Sequence, residues 1–511
     1  MNNKILLALA AGFLVLAGCG QQAEETSQEA ADAEDAGYAG NGMALPASTT
    51  SDEARELYMA GWSDFEVGRF NKANEHFASA CITDPAFAMA HMMAALTSTS
   101  TDGFTKNLTR AGETAADATR GEQLFVESFQ KQFAGDPAGQ VAAQQELTAL
   151  HPDSARAWFF LGNAQGNVNN AADARTAYGN AIELEPDFVL AHIQLGNNYM
   201  FGAPKDFDQA EEQFMQAVGL APSEPLAHDV LGDIHRAQGN LHAAYDDYSK
   251  AAELAPEQGS PLQQRGHVNS FLGNYDDARA DYTRSAELED ARGTNTGPFF
   301  LVFRAYVSLH EGNPEAAITE LREIAASADT SGIEGADDLK INALTSVVQI
   351  ATHYGIAEAG KAGITDVAVL MLQQADDVGT DQFRKAQEAN ISYLEGMLAA
   401  RMGDAEGAAA KAAEFETNVA ANTNPRKLER MHEILGMSAY YQKDYAAAAE
   451  HLAAGDHLNN METKYYLALA NENAGNGDEA QRLLSELAVW NFNGPGYAMT
   501  RSDILARVST D

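Results

Sequence analysis

The stretch from Ala155 to Phe188, ARAWFFLGNAQGNVNNAADARTAYGNAIELEPDF, is one copy of a unit that the chain repeats. Trp158, Leu161, Gly162, Ala174, Tyr178, Ala181 and Pro186 fall at its positions 4, 7, 8, 20, 24, 27 and 32. A fixed period constrains the fold more than any local propensity, because each unit buries its apolar face only against its neighbours. The same phase returns at 54–87 with Gly61, Ala73, Phe77, Ala80 and Pro85, and at 225–258 with Gly232, Ala244, Tyr248, Ala251 and Pro256. A copy at 189–222 carries Gly196, Ala210, Phe214, Ala217 and Pro222 with two extra residues near Ala203-Pro204. Another at 259–292 has Gly266, Ala278, Tyr282 and Ser285, with Asp290 in place of the proline. The spacing predicts two helices per unit. Glycine and alanine stand where the helices press together, the aromatic residue fills the space beside them, and proline stops the second helix. Gly68, Gly239 and Gly273 fall between paired helices, where a left-handed C-cap is wanted.

The second half keeps the phase loosely. Ala305, Gly312, Ala317 and Leu321 mark a copy at 298–331; Gly396, Gly403 and Ala408 one at 389–422. Leu435, Gly436, Ala448 and Leu452 mark one near 429–460, and Ala468, Gly475, Ala480 and Leu484 one near 461–494. Residues 88–153 read as two irregular helical hairpins. Residues 325–340 read as a loop and the expected break between an N-terminal array (54–324) and a degenerate C-terminal one (341–494), with two helices in 341–378. The tail 495–511 suits a capping helix.

The unit resembles the tetratricopeptide repeat, well over 55–290 and loosely over 298–494. The resemblance implies an all-α solenoid of stacked antiparallel helix pairs, wound as a right-handed superhelix. It also implies that the first helix of each pair lines a concave face through positions 2, 5, 9 and 12. Here those positions give Arg156, Phe159 and Asn163; Leu190, Ile193, Asn197 and Met200; Asp229, Asp233 and Arg236; Gln263, His267 and Ser270. At position 9, family members use asparagine to hydrogen-bond the backbone of an extended peptide, which marks Asn163 and Asn197. The basic residues that clamp a chaperone's C-terminal carboxylate are not matched, since Phe159, Ile193 and Val230 stand in their places.

The N-terminus gives an address. Met1-Asn2-Asn3-Lys4 precedes an apolar run from Ile5 to Ala17, too short to span a bilayer comfortably and suited to a signal-peptide core. It ends Leu16-Ala17-Gly18-Cys19, which resembles the lipobox of bacterial lipoproteins and implies a signal peptide over 1–18 with Cys19 acylated. Gly20, where an aspartate would signal inner-membrane retention in enteric bacteria, leans toward the outer membrane, facing the periplasm. Residues 19–53 are polar, acidic and without hydrophobic periodicity, a flexible, disordered tether.

With 73 Asp and Glu against 33 Lys and Arg, the net charge of −40 argues against nucleic acid as a partner and leaves the lipid as the membrane contact. Cys19 and Cys81 are the only cysteines, so no disulfide framework forms. Gly355–Lys361 has the GxxxxGK spacing of a phosphate loop, but Ala362 stands where the Mg²⁺-binding hydroxyl belongs, and no βαβ pattern surrounds it. His228, His235 and His242 are seven apart, a rise of about 10.5 Å per step that no single ion bridges. His192, His228 and His432 share position 4 with Trp158 and read as packing residues. No metal, cofactor or catalytic set is expected. The expected function is a lipid-tethered envelope scaffold, not an enzyme, that binds envelope proteins or extended peptides on its concave face. The alternatives are a dedicated subunit of an outer-membrane insertion, pilus or polysaccharide-export machine, and an enzyme whose site lies in 88–153 or 341–378.

Overall fold

The computed structural model describes residues 45–333 and 335–508. The signal segment, Cys19 and the tether up to residue 44 lie outside the described residues. Among the described residues there are helices and no strands. The chain forms two compact units: an N-terminal one of residues up to 230 together with 421–425, and a C-terminal one of 231–420 and 426–508.

In the N-terminal unit the helices are α1 Asp52–Glu66, α2 Phe70–Thr83, α3 Ala88–Leu96, α4 Thr101–Ala115, α5 Arg120–Phe133, α6 Pro137–Leu150, α7 Ala155–Asn167, α8 Ala171–Leu184, α9 Val189–Phe201 and α10 Phe207–Leu220. Helix α11, Pro225–Ala237, runs across the division. The C-terminal unit continues with α12 Leu241–Leu254, α13 Ser260–Leu272, α14 Tyr275–Arg292, α15 Gly297–His310, α16 Pro314–Ser331, α17 Ala336–Tyr354 and α18 Ala357–Val378. It ends with α19 Asp381–Arg401, α20 Ala405–Asn418, α21 Glu429–Tyr441, α22 Tyr445–Ala454, α23 Met461–Ala474, α24 Gly477–Trp490 and α25 Pro495–Val508.

One contact explains the repeat. At position 8 of five units a glycine lies under the aromatic ring of position 24: Gly61 under Phe77, Gly162 under Tyr178, Gly196 under Phe214, Gly232 under Tyr248 and Gly266 under Tyr282. A Cβ on Gly162 would stand 2.5 Å from Tyr178 Cε1, closer than atoms pack, so the close pairing of α7 with α8 requires glycine. Gly68, Gly239 and Gly273 adopt φ of 82°, 81° and 82°, the left-handed turn expected between paired helices. In the best-matched repeat Asn169 takes that conformation instead, at φ 60°. Position 4 closes the junction between units. Trp158 Nε1 donates to the Pro152 carbonyl at 2.8 Å, and the imidazoles of His91, His192 and His228 reach the carbonyls of Pro85, Pro186 and Pro222 at 3.2, 3.1 and 3.0 Å.

Two expectations on organisation change. Residues 325–340 are not a break: α16 runs to Ser331, α17 starts at Ala336, and one buried core extends through Leu321, Ala325, Ala328, Leu339 and Val347. The segment looked like a loop because its buried face is mostly alanine, which leaves little hydrophobic periodicity. The packed body also begins earlier than 54. Leu45 and Ala47 are buried, and the Ser48 amide and hydroxyl both bond to Glu122, each at 2.6 Å. Glu122 is buried and accepts in addition from the amide and hydroxyl of Thr119, so its carboxylate is fully solvated by protein donors. Residues 88–153 form the two hairpins α3–α4 and α5–α6. Gly355 turns in the left-handed region between α17 and α18, so the phosphate-loop spacing falls on a helix–helix junction.

Candidate functional site

Of the thirteen groove positions most are closed; Leu190, Ile193 and Ser270 are buried. So are Arg156, Phe159, Met200, Asp229, Asp233, Arg236, Gln263 and His267, and only Asn163 and Asn197 keep intermediate exposure.

In the N-terminal unit Arg156 turns back to the first repeat. Its Nε donates to Glu66 at 2.7 Å and its guanidinium lies 4.7 Å over the Trp62 ring. Phe159 is wholly buried against Phe160, Tyr178 and Phe188. Trp62 in turn meets Phe160, which meets Phe125, so α1, α5 and α7 share an aromatic core where an open groove was expected. These two residues therefore hold the solenoid together. Burial of aromatic area at this density outweighs what an exposed contact residue could contribute.

At position 9 the repeats follow a second rule. The position-24 tyrosine hydroxyl reaches the polar residue at position 9 of its own unit: Tyr178 donates to Asn163 Oδ1 at 2.7 Å and Tyr248 to Asp233 Oδ1 at 2.8 Å, while Tyr282 Oη and His267 Nδ1 lie 2.7 Å apart. In the repeat at 189–222 this residue is Phe214, which has no hydroxyl. Asn197 Oδ1, inside the surface, accordingly has no hydrogen-bond partner among the described residues. An acceptor left this way costs about 1–3 kcal/mol of uncompensated desolvation, which an incoming N–H would recover.

The C-terminal unit treats the same positions differently. Its own residues 490–493 lie over the first helices of two repeats. Asn491 Nδ2 donates to the Arg236 carbonyl at 3.4 Å, and Phe492 sits 4.6 Å under the Arg236 guanidinium. Asn493 Nδ2 lies 3.2 Å from both His267 Nδ1 and Tyr282 Oη, and its Oδ1 is 3.4 Å from His310 Nε2. Helix α25 follows on the same side, where Tyr497 and the guanidinium of Arg501 meet the Phe271 ring at 5.8 and 5.3 Å. Arg236 is further tied to Asp233 at 2.9 Å and Gln264 at 3.3 Å, and Gln263 Nε2 lies 3.4 Å from His267 Nε2. Arg236 and His267 thus receive the chain's own C-terminal segment, and Gln263 is buried beside His267. Burial drives the His267 imidazole well below its usual range, and it lowers His310 to about 4; nearby Arg236 and Arg501 push the same way. Both rings are neutral at physiological pH.

Burial raises the Cys81 thiol to about 12, which removes thiolate character. A polar cleft beside α14, α15 and α16 is lined by Arg279, Thr283, Arg304 and Glu320, but both guanidiniums are committed: Arg304 Nε to Glu320 at 2.6 Å and Arg279 to Glu311 at 3.1 Å. No helix among the described residues is long and apolar enough to cross a membrane.

Two family models match the chain, both described as tetratricopeptide repeat, over residues 155–188 and 205–258. The chain thus carries tetratricopeptide repeats, and its stacked helix pairs are the fold that such repeats build. No curated protein matches. Among solved structures, yeast Tom70 is 14% identical, with 83% of this chain and 96% of that one covered at a TM-score of 0.42. MamA from Desulfovibrio magneticus is 20% identical, covering 34% and 96% at 0.29. YrrB, described as having an unusual peptide-binding site, is 18% identical, covering 36% and 91% at 0.25.

Proposed function

We propose that this chain is a lipid-anchored scaffold of the bacterial cell envelope. It holds protein partners by an extended segment laid along position 9 of the repeats at 155–188 and 189–222. Tetratricopeptide-repeat proteins serve as protein-interaction scaffolds, which supports the general role. The observation that carries the site is Asn197 Oδ1, inside the surface and without a donor among the described residues, where Phe214 stands in place of the tyrosine of the repeats at 155–188, 225–258 and 259–292. In the preceding unit Asn163 spends its Oδ1 on Tyr178 and keeps its amide N–H groups for a ligand carbonyl. An acceptor and a donor at equivalent positions of consecutive repeats suit a peptide backbone and demand no particular side chains. The address rests on the Leu16-Ala17-Gly18-Cys19 string after its apolar run.

Replacing Asn163 and Asn197 together by alanine should abolish capture of the envelope proteins that co-purify with the wild type, with the melting temperature nearly unchanged. Retention of the same partners at wild-type level would remove this site from consideration. Separately, Cys19→Ser should move the protein out of the membrane fraction; unchanged fractionation would overturn the anchoring.

A further inference from the structure

We propose that His432 and His451 form a binding site for a divalent transition-metal ion. The two imidazoles stand on the helices of one hairpin, α21 and α22, with their Nδ1 atoms 3.0 Å apart. Two nitrogens that are neighbouring ligands of one ion, at bonds of about 2.0–2.1 Å, lie about 2.9–3.4 Å apart, so the backbone already holds both donors at the required separation. The hairpin is firm there: Leu452 packs directly on Gly436, where a Cβ would stand 2.7 Å from Leu452 Cγ.

The pair is also set apart from the other position-4 rings. His91, His192, His228 and Trp158 each bond to a proline carbonyl six residues earlier. Six residues before His432 stands Arg426; the proline is one place further back, at 425. His432 has lost that anchor and faces His451 instead. With ring centres 5.3 Å apart, the nitrogens meet almost end on, so one carries a proton and the other receives it. An ion takes the place of that proton when the rings tilt until both lone pairs meet on it. Both rings are half-buried, which leaves room for the tilt and for water on the ion.

The surroundings favour a cation. Glu416 on α20 and Glu450 on α22 act on His432 electrostatically and supply negative charge beside the pair. Both carboxylates are exposed, on the two helices that flank α21. Among the described residues no three His, Cys, Asp or Glu side chains already converge on one point. The protein therefore provides two fixed nitrogens, and water or a swung carboxylate completes the shell. Imidazole pairs of this kind prefer copper, nickel and zinc over magnesium or calcium.

The test is calorimetric titration of zinc sulfate into the full chain, with both cysteines replaced by serine so that no thiol competes. One equivalent should bind at pH 7.5 and raise the melting temperature, and binding should fall toward pH 5.5 as the imidazoles protonate. H432Q and H451Q, which keep side-chain bulk, should each weaken binding at least about tenfold while leaving the apo melting temperature and helical spectrum unchanged. Wild-type affinity in the H432Q/H451Q double variant, or no binding by the unmutated pair, would overturn the site.

Discussion

The repeats at 189–222 and 259–292 share their period and their glycine-under-ring contact, yet their concave positions meet different fates. In the second, His267 is buried between Tyr282, Gln263 and the chain's own Asn493. In the first, Asn197 keeps intermediate exposure, and its Oδ1 has no hydrogen-bond partner among the described residues. The difference comes from two sources. One is local: Phe214 lacks the oxygen that Tyr282 has. The other is remote: residues 490–493 return to cover one pair of repeats in the C-terminal unit. A repeat pattern thus specifies a scaffold position, and what lies over that position decides whether it is covered or left accessible.

The largest effect should come from removing the cover. Ending the chain after Val489 deletes buried Trp490, Tyr497 and Ile504 and exposes Arg236 and His267. At about 1.5–3 kcal/mol per large apolar side chain, the C-terminal unit should lose at least about 4 kcal/mol. A truncated chain with unchanged thermal denaturation would show that the segment is an optional occupant of a groove and would dissolve the contrast.

Ala174→Trp tests the feature that the two repeats share. Ala174 is fully buried beside the helix–helix contact of its unit, so the indole should overpack it at about 1–3 kcal/mol and loosen neighbouring repeats too. Chemical denaturation with a helix-dominated circular dichroism spectrum in the wild type is the measurement.

Acid should act on the covered region around His267 and His310. His267 and His310 have folded pKa values below those of an unfolded histidine near 6.5, and His310 lies at about 4. Between those limits the unfolded chain binds more protons than the folded one, so stability is complete above about pH 6.5 and falls as pH drops toward 4. His310→Gln should flatten this part of the pH–stability profile. A profile equally steep in the variant would place the acid sensitivity elsewhere.

The smallest change sharpens the comparison most. Phe214→Tyr supplies the missing hydroxyl opposite Asn197. It should stabilise the N-terminal unit by about 1 kcal/mol, the usual net value of one hydrogen bond, and weaken partner capture by occupying Oδ1. Tyr178→Phe should do the reverse at Asn163. Unchanged capture by both variants would separate position 9 from binding.

Much of the molecule was legible in the residues themselves. The helix pairs, the left-handed turns at Gly68, Gly239 and Gly273, and the hairpins within 88–153 all follow from contacts between residues close in sequence. A period of 34 with glycine at position 8 and a large ring at position 24 admits few other packings. The reading of 325–340 as a break failed because Ala325 and Ala328 bury a face too small to register as hydrophobic periodicity. Of the expected groove positions Asn163 and Asn197 keep intermediate exposure, whereas Arg156, Phe159, Arg236, Gln263 and His267 are buried. Position within a repeat says which way a side chain points, but not what the rest of the chain brings to meet it.

The sequence by itself determined the helical repeat, its register and the small residues that let paired helices touch, because these depend on spacings within some forty residues. Tertiary structure alone decided that Arg236 lies under a carbonyl-to-amide contact with Asn491, 255 residues away. It alone decided that Arg156 would turn to Glu66, 90 residues back. No local pattern encodes such pairs. They arise when a stacked array brings distant side chains within reach, and burial then favours whichever polar partners satisfy each other.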